Sequence, residues 1–566
     1  MTTPALSHVE GPTNVPLIDQ TIGVYFDEIV YRYADREALV VCHQNVRWTY
    51  QDLKQRVDNL AVSLLRVGLE TGDRVGIWSP NNSEWVLAQF ATAKAGLILV
   101  NINPAYRFVE LEYALTKVGC KALILAPGFK TSDYLEMVNT LAPELAHSEP
   151  GQLRAKRLPD LRWLIRLGDE KTPGMLNLGD LLTPATANEL THLQQLGTTL
   201  LADDPVNIQF TSGTTGSPKG ASLSHRNILN NGYFVGEAMQ LTPADRICIP
   251  VPLYHCFGMV IGNLACVTHG AAMIYPSEGF DPAATLTAVA AERCTGLHGV
   301  PTMFIACLEL LQTTPFDLSS LRTGVMGGSP CPIEVMRRVV DKMGMREVTI
   351  CYGMTETSPV SFQSATNDPL ERRVSTVGRV HPHLKVKIVN EMGETVPCGT
   401  VGELCTKGYA VMAGYWNDDE KTRAVLIDGW MHTGDLATID EAGYGNITGR
   451  SKDLVIRGGE NISPREIEEF LYQHPKVRDV QCIGLPDPKY GEQLCACIIL
   501  NEGETATPDE FQAFCRGQIA HFKIPHYVWF VSSFPMTVTG KIQKYILRQQ
   551  VAEELGLVAE KTARGG

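Results

Sequence analysis

The chain has 566 residues, a formal net charge of −13, 44% hydrophobic residues and 20% charged residues. It is too long for one ordinary domain, and its composition is that of a globular protein with a large core and room for a smaller one. The acidic balance argues against nucleic acid or an anionic membrane surface as the main partner, and no uninterrupted apolar run is long enough for a transmembrane helix.

Residues 1–22 are rich in Pro and Thr and read as an irregular arm. Thr49 opens a helix with Asp52 in its first turn, placing Leu53, Val57, Leu60, Ala61, Leu64 and Leu65 on one face. Arg74–Trp78 reads as a strand, 83–96 as a helix and 97–101 as a strand. Phe108–Gly119 is again helical and 121–126 again a strand. This alternation predicts βαβ units and a parallel sheet covered by helices. Residues 128–160 are more polar and read as helix and loop. A second alternation follows: strands at 247–251, 272–275, 322–326 and 348–352, with helices at 282–293, 301–311 and 332–343. From about residue 374 short strands and turns predominate, for example 385–390 and 402–406. Beyond Gly449 lies a compact α+β unit. It carries two capping-box patterns, Ser463-Pro-Arg-Glu466 and Thr507-Pro-Asp-Glu510, and two strand-like runs between them, 479–484 and 492–500. These features place a domain boundary at 449, with domains 1–449 and 450–566.

The fifteen cysteines are scattered without a Cys-x-x-Cys pair. They read as buried small hydrophobes in a reducing compartment, not as disulfides or zinc ligands. The first basic residue is Arg32, which does not suit a secretory signal or a transit peptide. A cytoplasmic enzyme is expected. Peripheral membrane contact stays open, and no oligomeric state is assigned.

The most informative stretch is Thr211-Ser-Gly-Thr-Thr-Gly-Ser-Pro-Lys-Gly220, after the strand-like run Pro205–Phe210 and before a helix that Ser224 can cap. Glycines let backbone N–H groups approach anionic oxygens, hydroxyls add donors, and Lys219 adds a positive charge, so a strand-to-helix loop of this kind suits a polyphosphate. It is not a Walker A loop, because Lys219 sits between proline and glycine. The stretch resembles the signature loop of the adenylate-forming superfamily, which includes acyl-CoA synthetases, firefly luciferase and peptide-synthetase adenylation domains. Five further stretches match that superfamily in its order: Tyr352-Gly-Met-Thr-Glu356, Trp430-Met-His-Thr-Gly-Asp435, Gly449-Arg-Ser-Lys-Asp453, Gly458-Gly-Glu-Asn-Ile462 and Thr537-Val-Thr-Gly-Lys541.

The resemblance implies a large N-terminal domain of helix-covered parallel sheets plus a β-barrel-like part, and a small mobile C-terminal α+β domain. It also implies a residue assignment for ATP, Mg²⁺ and coenzyme A. Thr211, Ser212, Gly213, Thr214, Thr215, Gly216 and Lys219 would hold the phosphates, with Thr355 and Glu356 facing them and Glu356 carrying Mg²⁺. Gly327, Gly328, Ser329, Tyr352 and Gly353 would line the adenine and acyl pocket. Asp435 would accept both ribose hydroxyls and Arg450 would donate to the same ribose. Lys452 stands at the interdomain hinge, and Gly458 and Gly459 at the pantetheine tunnel. Lys541 would stabilise charge between the carboxylate and the α-phosphate. His255, in Pro252-Leu-Tyr-His-Cys-Phe-Gly258, is assigned to acyl positioning and not to proton transfer. Gly353, Gly232 and Gly236 are expected to let the acyl pocket extend inward, favouring medium-chain acids over acetate.

The expected function is therefore an AMP-forming ligase joining a medium- to long-chain fatty carboxylate to CoA through an acyl-adenylate. Three alternatives share the motifs: a stand-alone adenylation enzyme that loads an acyl carrier protein, a luciferase-like oxygenase, and a binding protein with a decayed site.

Overall fold

The computed structural model describes residues 5–211, 218–450, 453–457 and 460–557. The first alternation folds into an eight-stranded sheet in the order 176–177, 163–166, 122–125, 74–78, 98–101, 205–211, 219–224 and 414–415. The first six strands are parallel, and the last two pairings, 205–211 with 219–224 and 219–224 with 414–415, are antiparallel. Its inner strands are mostly apolar, and Ala122–Leu125 is buried at every position. That is the pattern of a parallel sheet covered on both faces. The Tyr50–Arg66 helix starts where expected: Thr49 and Asp52 form a reciprocal capping box, and Leu53, Val57, Leu60, Ala61 and Leu64 are buried.

The second alternation builds a nine-stranded sheet whose six inner strands are parallel, running 347–353, 323–326, 296–297, 246–248, 272–275 and 37–41. The Ile333–Met343 helix, covering this sheet, buries Val335, Met336, Val339 and Met343. A third sheet of six antiparallel strands gathers 8–10, 384–389, 402–408, 430–439, 426–427 and 445–450. It occupies the place of the expected barrel-like part, but among the described residues its outer strands do not pair with each other. The sheet is open, and no closed barrel forms.

From residue 455 onward the chain makes a five-stranded sheet around the 477–487 and 491–500 hairpin. Alternate side chains of the 491–500 strand feed two cores. Leu494, Ala496 and Ile498 pack with Ile467, Leu471 and Phe511. Cys495, Cys497 and Ile499 pack with Phe534, Leu547 and Val551. Both C-terminal helices start at the expected prolines, Pro464 and Pro508, but neither capping box forms. Ser463 instead donates its hydroxyl to Thr448 O. Glu466 pairs with Lys523 at 2.6 Å, and Glu510 with Lys476 at 2.8 Å. Charge-assisted bonds of this kind are stronger than neutral ones, so a lysine within reach is a favourable partner for each carboxylate.

The stretch after Thr211 also departs from expectation. Lys219–Ser224 is a strand, antiparallel to Pro205–Thr211 with Thr211 opposite Lys219. Two antiparallel strands therefore precede the His225–Ala238 helix, which Ser224 caps as expected. Ser212, Gly213, Thr214, Thr215 and Gly216 lie outside the described residues, as do Lys452, Gly458 and Gly459.

Candidate active site

Strand ends of the two large sheets and the open sheet bring the predicted side chains into one cleft. Thr211 closes the Pro205–Thr211 strand, and the Glu347–Gly353 strand runs into a short turn of helix at Thr355–Thr357. Glu356 is 5% exposed. Its Oε1 accepts from Tyr415 Oη at 2.8 Å and from Thr211 Oγ1 at 3.4 Å. Lys219 Nζ stands 4.9 Å from the centre of the Tyr415 ring, within cation–π range. A buried carboxylate ringed by hydroxyls beside a lysine fits Mg²⁺ and phosphate, because Mg²⁺ takes one or two carboxylates and fills its other positions with water and phosphate oxygens.

On the adjoining sheet Asp435 is the direct cross-strand partner of Arg450. Asp435 Oδ1 accepts from Arg450 Nε at 2.7 Å and Oδ2 from Tyr352 Oη at 2.7 Å. The Asp435 charge, more than any other group, raises the Arg450 pKa, and burial raises that of Tyr352 well above its ordinary value. A carboxylate offers roughly four lone-pair sites. Two are used here, which leaves room for two further hydroxyl donors.

Lys541 enters the cleft from the C-terminal unit. Its turn is closed by Thr537 N donating to Lys541 O at 2.7 Å and Lys541 N donating to Thr537 Oγ1 at 3.1 Å. The turn docks on the start of the Pro301–Thr313 helix, where Thr302 Oγ1 donates to Gly540 O at 3.3 Å. Gly540 has φ +78, and a Cβ there would stand 2.8 Å from Val300 Cγ2. Only glycine allows this approach. The Lys541 side chain is exposed within the cleft. Desolvation by the surrounding protein, then Arg450, pushes its pKa down, while Asp435 and Glu356 partly offset this. With so much accessible surface, that shift is a direction and not a sizeable free energy.

His255 is half-buried and accepts the Phe257 N–H on Nδ1 at 3.1 Å. Burial, reinforced by Lys541, pushes its pKa down to about 3. A ring that is neutral at physiological pH and already committed at Nδ1 is a poor proton carrier and a good wall. Cys256, beside it, lies 3.8 Å from Thr355 Oγ1.

Residues 26–416 match the family model of the AMP-binding enzymes, and residues 466–541 match that of the AMP-binding enzyme C-terminal domain. The chain belongs to the AMP-binding enzyme family. Among its relatives, the putative acyl-CoA synthetase YngI of Bacillus subtilis is 50% identical, over 96% of this chain and 99% of the relative. The medium-chain acyl-CoA ligase ACSF2, mitochondrial, of Danio rerio is 48% identical, over 97% and 91%. The crystal structure of the anthranilate CoA ligase AuaEII in complex with anthranoyl-AMP superposes with TM-score 0.84 at 25% identity, over 96% of this chain and 99% of that one. The resemblance drawn from the six motifs is borne out.

Within this AMP-binding enzyme the glycines predicted to open the acyl pocket do something else. A Cβ on Gly232 would stand 2.6 Å from Leu264 Cβ, and one on Gly236 would stand 2.3 Å from the His269 ring. Gly232 lets the His225–Ala238 helix pack against the end of the Phe257–Leu264 helix, and Gly236 makes room for His269 just after the Ala265–Thr268 helix. A Cβ on Gly353 would stand 1.7 Å from Pro359 O, so this position faces backbone and no tryptophan enters without moving the chain. A Cβ on Gly327 would stand 2.9 Å from Cys351 Sγ. Gly328 has φ +85 and sits, with Ser329, on the loop after the Thr323–Met326 strand. Sequence reasoning missed Tyr415, which binds Glu356. Its only signal is an aromatic pair after a glycine, Gly414-Tyr415-Trp416.

Proposed function

We propose that the chain is an ATP-dependent ligase that activates a medium- to long-chain fatty carboxylate as its acyl-adenylate and transfers it to coenzyme A, giving AMP and pyrophosphate. The observation that carries this reading is the convergence of Thr211, Glu356, Asp435, Arg450 and Lys541 on one cleft, with the Lys541 turn docked. In the first step a carboxylate oxygen attacks the α-phosphorus and the bond to pyrophosphate breaks. Thr211, Lys219 and the residues between them would hold the phosphates, and Glu356 would hold Mg²⁺, which when bound would supply positive charge against the phosphates. Asp435 takes the ribose hydroxyls on its remaining lone pairs, with Arg450 and Tyr352 fixing its orientation. Lys541 meets the negative charge that develops between carboxylate and phosphate, so its contribution is electrostatic. In the second step the CoA sulfur attacks the acyl carbon and AMP leaves.

Domains 1–449 and 450–566, with a hinge at Lys452 and a pantetheine contact at Gly458 and Gly459, complete the reading. Its support is the order of motifs and the separate cores on either side. Chain-length preference is supported by the name of the Danio rerio relative, since Gly232, Gly236 and Gly353 are packed. For compartment, all fifteen cysteines are free, which supports a reducing one. We read it as the cytoplasm, and fractionation against the mitochondrial location in that relative's name is the check. No helix among the described residues is long and apolar enough to cross a membrane.

The functional test is AMP release across acetate, octanoate and palmitate with ATP and CoA. Each buried methylene contributes about 0.8 kcal/mol, so octanoate should exceed acetate by orders of magnitude in kcat/KM. A preference for acetate contradicts the proposal.

A further inference from the structure

On the open antiparallel sheet three side chains of different chemistry meet, and none has a part in the reaction above. Cys405 and His432 are direct cross-strand partners. Glu403 lies two residues before Cys405, across a register shift. One ligand atom from each (a carboxylate oxygen, Sγ and Nδ1) lies within 4.8 Å of the other two. The Sγ–Nδ1 separation is 3.5 Å. This equals the edge of a tetrahedron around a zinc ion with a Zn–S bond of about 2.3 Å and a Zn–N bond of about 2.1 Å. The Glu403 Oε2–His432 Nδ1 separation is 2.8 Å and needs to open by only about 0.5 Å to reach the matching edge. Cys405 is buried, whereas Glu403 and His432 keep side-chain exposures of 32% and 21%. An ion can therefore enter from solvent and keep water in its fourth position. The paired strands fix all three side chains, so little ordering remains to be done on binding.

We propose that Glu403, Cys405 and His432 form a binding site for a thiophilic divalent cation of the Zn²⁺ type, distinct from the Mg²⁺ site at Glu356. A sulfur and an imidazole select Zn²⁺ over Mg²⁺, which takes oxygen ligands. The site is also wired to the nucleotide. Glu403 Oε1 accepts from Gly434 N at 3.0 Å, and Gly434 precedes Asp435. Drawing the Glu403 carboxylate onto an ion pulls on the 432–435 segment that aims Asp435, so occupancy should inhibit adenylation. This second part rests on the proposed role of Asp435; the binding itself does not.

The test uses full-length protein without a histidine tag, titrated with Co²⁺ as a spectroscopic probe and with Zn²⁺ in competition. Wild type should take up one equivalent with a near-ultraviolet thiolate-to-cobalt charge-transfer band that Zn²⁺ abolishes. Cys405→Ser should lose the band. His432→Gln should weaken Zn²⁺ affinity by about 100-fold or more, since outer-shell partners alone are worth about 10–100-fold. Both variants should keep wild-type thermal unfolding without metal. Absence of the band in wild type, or an unchanged band and affinity in Cys405→Ser, overturns the site. ATP–pyrophosphate exchange then tests the coupling: Zn²⁺ should suppress it in wild type and spare it in Cys405→Ser. Full occupancy with undiminished exchange overturns the coupling and leaves the binding standing.

Discussion

At the scale of single residues, the site holds each carboxylate by its own small set of partners. Glu356 is bound by two hydroxyls, Asp435 by one guanidinium and one phenol, and Lys541 makes no ion pair with any of the described residues. Lys541→Ala should reduce acyl-AMP formation by about 10²–10³-fold, the usual cost of one preorganised charge or donor at the transition state. Consumption of synthetic acyl-AMP with CoA should persist, because the proposed mechanism uses the lysine only in the first step. Measuring the two half-reactions separately checks this, and equal loss of both points to misfolding or a dual role. The charged residues were legible because their motifs have fixed spacing. Tyr415 was not, since its partner Glu356 is 59 residues away and a tyrosine beside a tryptophan most often fills core. The three acyl-pocket glycines were misread for a similar reason. Sequence shows that a side chain is missing at Gly232 or Gly353, but only the neighbours Leu264 and Pro359 show what occupies the space.

At the scale of elements, a chain of buried amides ties the strand before the phosphate loop to the His255 segment. Asn207 Nδ2 donates to Asn101 Oδ1 at 2.9 Å, and Asn101 Nδ2 donates to Tyr254 O at 2.8 Å. Gln209 Nε2 and Asn101 Nδ2 both point at Met259 Sδ, at 3.1 Å each. Gln89 continues the chain to Met259 O and to Asn263. Met259 and Asn263 lie on Phe257–Leu264, a π-helical stretch, a geometry that is rare and often found at functional sites. Asn101→Leu takes one of the two acceptors of Asn207 Nδ2, which keeps Leu99 O at 3.0 Å, and removes the Asn101 donor to the Tyr254 carbonyl in the interior. A buried carbonyl left without its donor costs about 1–3 kcal/mol, so the variant should unfold at a lower temperature. Because the His255 segment then loses its anchor, the KM for the carboxylate should rise more than kcat falls. An unchanged melting temperature contradicts the idea that this network supports the site. Elements with strong local signals, such as the Thr49-capped helix and the 74–78 and 122–125 strands, were readable in the sequence. The 219–224 strand was not: Lys-Gly-Ala-Ser-Leu-Ser has little β propensity, and pairing with both 205–211 and 414–415 makes it a strand.

At the scale of the whole molecule, the C-terminal unit sits with Lys541 in the cleft, and a few polar contacts hold it there. Arg478 pairs with Glu309 at 2.7 Å, and Arg465 Nη1 donates to Ile447 O at 2.5 Å. A second pose for thioester formation needs a backbone rotation, placed at Lys452. Lys452→Pro fixes φ near −65° and should keep ATP–pyrophosphate exchange while losing thioester formation, whereas Lys452→Ala should lose little of either. Wild-type thioester synthesis in the proline variant moves the hinge and the boundary at 449 elsewhere. Acid sensitivity is a second property of the whole fold. His225 and His298 are each no more than 2% exposed and accept backbone N–H groups on Nδ1 at 3.1 and 3.2 Å. Burial pushes their pKa values down to about 3 and about 4 from 6.5. The unfolded chain then binds protons that the folded one refuses, so stability is lost as pH falls below 6.5 and the loss is complete near the folded values. At pH 5 each contributes about 2 kcal/mol of destabilisation, and the melting temperature should be clearly lower than at pH 7. An equal melting temperature at both contradicts this. The domain order was legible from motif order, while the openness of the third sheet depends on pairings that no local pattern encodes. The central claim, an AMP-forming ligase with CoA as acceptor, is tested most directly by supplying ATP, Mg²⁺ and octanoate and measuring steady-state AMP release with and without CoA. The account predicts one AMP and one octanoyl-CoA per turnover with CoA, and no more than a single turnover of enzyme-held acyl-adenylate without it. AMP release that is indifferent to CoA, or that is stimulated only by a carrier protein, contradicts it.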